Sequence, residues 1–181
     1  ITVEDRLKLY EKFASRFPED FFTNTADRII QLEDRDGNGA ADFRSVFSDR
    51  FHEPLDGIGF SLLADDGSVY FTCIPHVWKL TDTDGDGVAD EEKPISSGYG
   101  VRVSFIGHDL HGITRGPDGL LYFSVGDRGY HVTTEDGTIH SGSGRGAIFR
   151  CASDGSGLEV YCEGLRNPQE LAFDNYGNLF T

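Results

Sequence analysis

From residue 23 onward the chain is built of short apolar runs separated by Asp, Gly and Asn turns. The runs are rich in aromatic and β-branched residues, which suit a pleated surface. The turns carry Asp-Gly and Asn-Gly pairs, which reach positive φ cheaply and reverse a chain between antiparallel strands. The segments also repeat. An apolar strand, a tight turn and a strand with an aromatic pair recur at 64–72, 116–124 and 173–181. A second unit, a strand rising into an Asp/Gly turn, recurs between them at 28–37, 77–85 and 147–155. Alternation at a period of about 50 residues is the spacing of four-stranded β-propeller blades. The expected fold is all-β, a partial propeller of about three blades over 23–181. An ordinary β-sandwich with similar turns is the rival. Three blades rarely close a ring, so the chain reads as about half of a larger one. Open blade edges would then make an isolated fragment prone to aggregate.

Residues 1–22 differ. Val3, Leu7, Tyr10, Phe13 or Ala14, and Phe17 recur at helical spacing, and Pro18 ends the pattern. A short N-terminal helical segment is expected there. The chain of 181 residues begins at Ile1 and contains no Met, so it reads as a processed or trimmed piece.

Charge narrows the partners. There are 31 acidic residues against 16 basic ones, a formal net charge of −15. Nucleic acid and anionic membrane surfaces both need clustered Lys and Arg. No run approaches the roughly 20 apolar residues of a transmembrane helix, so no transmembrane segment is expected. The 14 Phe and 7 Tyr supply a core, which excludes a disordered reading.

Some of the acidity is patterned. Asp34, Asp36, Asn38 and Asp42 share their spacing with Asp82, Asp84, Asp86 and Asp90, each set with Gly at the sixth position of its loop. Alternating side-chain oxygens around a Gly-permitted turn converge as Ca²⁺ ligands do in the first half of an EF-hand loop. No bidentate Glu stands at the twelfth position; Lys93 occupies it in the second loop. The expectation is structural Ca²⁺. The alternative is an acidic, solvated turn.

The densest chemical signal runs from Gly107 to Gln169. His108 and His111 sit just before one inner strand, and Asp127 just after its partner. A hairpin brings His108 and Asp127 to one end, where a carboxylate beside an imidazole makes a general base. Arg166 and Asn167 precede the next inner strand and reach the same end of a blade. A guanidinium fork and a directional amide suit a planar anionic ligand. The same residues also suit capped turns.

These motifs carry a resemblance. H-x7-GPDG-xLYFS-x-GD-x-G followed by G-x-RNPQ-x-LAF resembles the soluble quinoprotein sugar dehydrogenases. Those are six-bladed propellers that bind pyrroloquinoline quinone (PQQ) and calcium. The twin DxDGxG loops and the SGYG-to-HDLHG stretch are closer still to a bacterial family of membrane-bound dehydrogenase domain proteins, which often carry an added c-type haem domain. The likeness covers roughly residues 26–181. It implies that His108 is the base for a sugar or alcohol hydroxyl and Asp127 its orienting carboxylate. It implies that Arg166 and Asn167 hold the quinone, with Gln169 in the same turn. It implies an exported, periplasmic or extracellular protein and a c-type cytochrome as a candidate electron acceptor. Tyr130-His131-Val132 departs from the polar residues of those enzymes, and their cofactor calcium ligands lie beyond Thr181. The rivals are a non-catalytic calcium-stabilised propeller that binds carbohydrate or protein, and a calcium-dependent lactonase.

Three features remain. Cys151 and Cys162 flank a turn and read either as a disulfide across a hairpin or as two buried thiols. Cys73 reads as core and Trp78 as core or blade-edge packing, while His76, His131 and His140 lack metal-ligand spacing. The Gly/Ser-rich stretch 129–146 reads as a mobile loop over a binding face.

Overall fold

A computed structural model describes residues 1–103 and 107–181. Helix α1 (Val3–Phe13) starts at a capping box, in which the Thr2 hydroxyl accepts from the Asp5 amide and Asp5 accepts from the Thr2 amide. It is shorter than its apolar spacing suggests. A 3₁₀ turn follows over Ala14–Arg16, and Phe17 is extended, as the residue before a proline prefers to be. The most deeply buried residue of α1 is Arg6, 2% exposed, whose guanidinium donates to the Leu55 carbonyl at 2.7 Å.

The rest is antiparallel β-structure, as the turn texture predicts. Strands β1 (Asp27–Glu33) and β2 (Phe43–Phe51) form a hairpin. Strands β3 (Ser61–Asp65), β4 (Ser68–Cys73), β5 (His76–Thr81) and β6 (Glu91–Ser97) form a four-stranded meander. A second four-stranded sheet is ordered β7 (Leu110–Arg115), β8 (Leu121–Val125), β11 (Gly146–Cys151) and β12 (Glu159–Leu165). The hairpin of β9 (Tyr130–Thr133) and β10 (Ile139–Gly142) is inserted between its two middle strands. A last hairpin joins β13 (Ala172–Phe173) to β14 (Leu179–Phe180). No closed barrel or ring forms among the described residues.

Alternation along the strands explains how these sheets stack. Side chains of a strand point to opposite faces with period two. On β4, Phe71 and Cys73 face the cluster with Ile29, Phe47 and Phe51 of the first hairpin, while Tyr70 faces the opposite way. On β8, Leu121, Phe123 and Val125 face Tyr70 and Val77 of the first sheet, while Tyr122 faces Leu171 beside the last hairpin. The two four-stranded sheets thus share one core, and a smaller hairpin covers the outer face of each. Phe123 and Phe149 stack at 5.6 Å, and the Tyr99 and Tyr130 rings meet Phe149 edge-on at 5.4 and 4.9 Å.

Two expectations need correction. The stretch 129–146 is a paired hairpin, not an unpaired loop, because Tyr130 and Val132 are buried in the shared core. Cys151 and Cys162 do not face each other. Ile148, not Cys151, opposes Cys162, and a bulge shifts the register between Ile148 and Phe149. Cys151 is buried, Cys162 is exposed, and all three cysteines are free. Burial pushes the Cys151 thiol up to about 12, so it stays protonated and inert. Cys73 and Trp78 are core residues, as expected.

Replacing Phe149 with Ala should destabilise the fold by about 3–5 kcal/mol, read as a lower denaturant midpoint, because it opens the shared core. His76 gives a separate test. Burial, reinforced by the nearby Arg50 and Arg6 charges, lowers it from 6.5 to about 4. The unfolded chain therefore takes up this proton first. Stability falls as pH drops from 6.5 to about 4, with no further loss from this group below that. The expected loss is about 2 kcal/mol after discounting for the part-exposed ring, and His76→Gln should remove it.

Candidate functional site

The site grows from strand ends. Leu110 at the start of β7 pairs with Val125 at the end of β8. His108, two residues before, and Asp127, two residues after, therefore emerge at the same end. His108 Nδ1 lies 2.8 Å from Asp127 Oδ1, and both side chains are partly buried. Arg128 donates to the same carboxylate oxygen at 3.3 Å. Partial burial pushes the Asp127 carboxyl up, but the His108 hydrogen bond and the Arg128 charge outweigh it and hold it below the usual carboxylate range.

The segment after β12 returns to this end. Leu165 pairs with Gly146 at the start of β11, and the chain then crosses back toward β7. The Gly112 amide donates to the Gln169 carbonyl at 2.9 Å, and the Ser124 hydroxyl donates to the Pro168 carbonyl at 2.8 Å. The crossing places Asn167 Oδ1 3.0 Å from His111 Nε2. Gln169 Nε2 reaches the Gly107 carbonyl at 3.5 Å, and Arg166 is exposed with no ion-pair partner among the described residues. Gly126 makes the convergence possible. A Cβ there would lie 2.5 Å from the His108 carbonyl oxygen and 2.7 Å from Asn167 Oδ1.

His108, Asp127, Asn167 and Gln169 thus gather where the sequence predicts. The sequence did not predict the part His111 plays. It is 2% exposed, and the Phe60 ring meets it edge-on at 4.4 Å. Burial lowers its pKa against the opposing hydrogen bonds to Asn167 and to the Gly107 backbone. Its proximity to His108 in sequence was the available signal, but the 56-residue separation from Asn167 hid the contact.

The two acidic loops are built alike. Loop 34–42 joins β1 to β2, and loop 82–90 joins β5 to β6. Asp34 accepts from the Gly37, Asn38 and Gly39 amides, and Asp82 accepts from the Gly85 and Gly87 amides. The Gly39 and Gly87 hydrogen bonds are the main reason these two carboxyls sit below their usual range. The glycines at the fourth and sixth loop positions adopt φ of 74° to 90°, which L side chains rarely adopt. In the second loop, carboxylate oxygens of Asp82, Asp84 and Asp86 lie within 4.8 Å of one another. Asp90 stands outside that group and accepts instead from the Thr83 amide and hydroxyl, both at 2.7 Å. Asp42 likewise closes its loop onto the Arg35 amide at 2.8 Å, and the Asn38 side chain donates through Nδ2 to Asp36 at 2.9 Å. The second loop also ties two layers together. Ser45 of β2 donates to the Gly87 carbonyl, and the Ala89 amide donates to the Phe47 carbonyl.

The chain defines an all-β domain with a His–Asp pair at the end of one sheet. It belongs to the DUF7133 family, a domain of unknown function, whose family model matches residues 7–181. No curated protein and no solved structure matches it.

Gly126→Ala should lower stability by about 1–3 kcal/mol, because the added methyl meets a backbone carbonyl and an amide oxygen that are both held in place. Chemical denaturation measures it; a neutral substitution would mean that the His108 and Asn167 segments are free to part.

Proposed function

We propose that this chain is part of a six-bladed β-propeller quinoprotein that oxidises a sugar or alcohol hydroxyl. The observation that carries the reading is the 2.8 Å contact between His108 Nδ1 and Asp127, with Asn167 gathered at the same end. The two stacked four-stranded meanders support the propeller, since each has the strand count of a blade. When bound, PQQ would supply an ortho-quinone that accepts the substrate's hydride. The residues present suit that group: Arg166 is an exposed cation without an ion-pair partner among the described residues, and Asn167, the next residue in the chain, has its side chain against His111. Both can donate to oxygens of a planar anion.

The protein's own part is proton transfer and orientation. With Nδ1 bonded to Asp127, His108 takes the hydroxyl proton on Nε2, and the carboxylate stabilises the imidazolium that forms. Arg166 and Asn167 would hold the cofactor, and the Arg166 charge would favour an anionic group there. A c-type cytochrome is the proposed electron acceptor and the periplasm or cell exterior the proposed location.

Ca²⁺ completes the reading. It would sit among Asp82, Asp84 and Asp86, relieve their mutual repulsion, and fix the loop that ties β2 to the first sheet. Loop 34–42 is the second proposed calcium loop.

Reconstituting the intact protein with PQQ and calcium should give dye reduction with at least one sugar or alcohol. His108→Ala should cut kcat by about 100-fold or more, the usual scale of a lost general base. Failure of the wild type across a broad panel, with ligand binding intact, would sink the enzyme reading in favour of a binding propeller. Chelation should lower the unfolding temperature, and Asp84→Asn should shrink that response, leaving the part due to loop 34–42. An unchanged melting curve with chelator would remove calcium from the account.

A further inference from the structure

The N-terminal segment packs on itself. Tyr10 of α1 stacks on Phe22 at 4.7 Å, Phe17 stacks on Phe21 at 4.6 Å, and Phe21 meets Phe22 edge-on at 5.0 Å. The amides of Phe21, Thr23 and Asn24 find the Pro18 and Asp20 carbonyls within the same segment. Toward the β-structure it leaves a cleft of about 240 Å³, lined by Phe21 and Phe22 on one side and by Phe51, His52, Asp56 and Ile58 on the other. Helix α1 is seated by a charge more than by an apolar face. Val3 and Arg6 are its only buried residues, and Leu9 is exposed. Arg6 Nη2 donates to the Leu55 carbonyl at 2.7 Å, while its Nε has no hydrogen-bond partner among the described residues. Burial opposes the guanidinium charge, and Tyr10, Asp109 and Asp56 favour it. A buried cation is tolerated only while such partners stay in reach, so this one side chain decides whether α1 stays seated.

The seat is the strand end that carries His108. Strands β3 and β7 lie side by side and run the same way: the Ile113 amide donates to the Ser61 hydroxyl at 3.3 Å, and Arg115 Nε donates to Asp65 at 2.6 Å. The segments leading into them, 55–60 and 107–109, therefore meet at one end, where the Phe60 ring touches His111. Arg6 is bonded to the first segment, and the Asp109 charge of the second acts on it. Asp109 stands between His108 and Leu110 and is 1% exposed.

We propose that residues 1–24 are a cover on the strand end that carries His108, latched by Arg6. When Arg6 leaves the Leu55 carbonyl, the segment lifts and opens Asp109 to solvent. A helix of 11 residues is marginal on its own, so the α1 amides exchange with solvent each time the cover lifts, while the sheets beneath stay folded. The cover goes beyond the proposed oxidation and holds whatever ligand the strand end takes.

Hydrogen exchange of the intact protein, followed by mass spectrometry, tests it first without any substitution. The α1 amides should exchange at least about tenfold faster than those of β8 under conditions where the sheets stay folded. Equal protection of α1 and β8 would overturn the proposal. Arg6→Met keeps the length of the side chain and removes its charge and donors. In this variant α1 should lose a further factor of about ten in protection, the scale of one charge-assisted hydrogen bond, with β8 unchanged. Carboxyl labelling with a carbodiimide and glycine ethyl ester reads the strand end directly. Asp109 should label slowly in the wild type and faster in Arg6→Met by the same factor as α1 exchange. Unchanged α1 protection in Arg6→Met, loss of α1 and β8 protection together, or an Asp109 equally shielded in both proteins would each contradict the cover.

Discussion

The middle strands of this chain bury both of their faces. Tyr70 and Phe71 are neighbours on β4, yet they belong to different cores, and so do Tyr122 and Phe123 on β8. A strand of that kind is stable only with an apolar layer on each side. Everything else follows from meeting that demand. The two meanders face each other across the Phe123–Phe149 stack, and a hairpin must cover each outer face.

With both faces of the middle strands committed to packing, the His108–Asp127 pair sits beyond a strand end. His108, Asp127 and Asn167 all leave from one end of the second sheet, where the chain is no longer bound by the ladder. Two buried polar groups at that end have their partners there: the Ser124 hydroxyl in the Pro168 carbonyl, and His111 in Asn167. Gly126 allows the two segments to approach closely enough for those bonds to form. The acidic loops obey the same logic at the other turns. They carry charge where strands have ended, and one of them stitches the first hairpin to its sheet.

Local chemistry was legible in the sequence, and long-range contact was not. The repeated hairpins could be read because turn residues and period-two alternation act over a few residues. The His108–Asp127 pair could be read because a two-strand hairpin fixes its register. Arg6 could not, since its partner is the backbone carbonyl of Leu55, which leaves no sequence signature. The face shared by Cys151 and Cys162 was misjudged because a single bulge shifts the ladder. The β9–β10 hairpin hid behind its His, Ser and Gly residues, although Tyr130 and Val132 anchor it in the core. The link from Phe60 through His111 to Asn167 joins three distant parts of the chain and exists only once the sheets have stacked.

The strand end carrying His108 is proposed as a quinone site. A crystal structure of the intact protein grown with PQQ and calcium tests it most directly. The account predicts quinone density at that end, with acceptor oxygens on Arg166 and Asn167 and the reactive carbonyl facing His108. Quinone density anywhere else, or an unoccupied strand end at saturating PQQ, would contradict it.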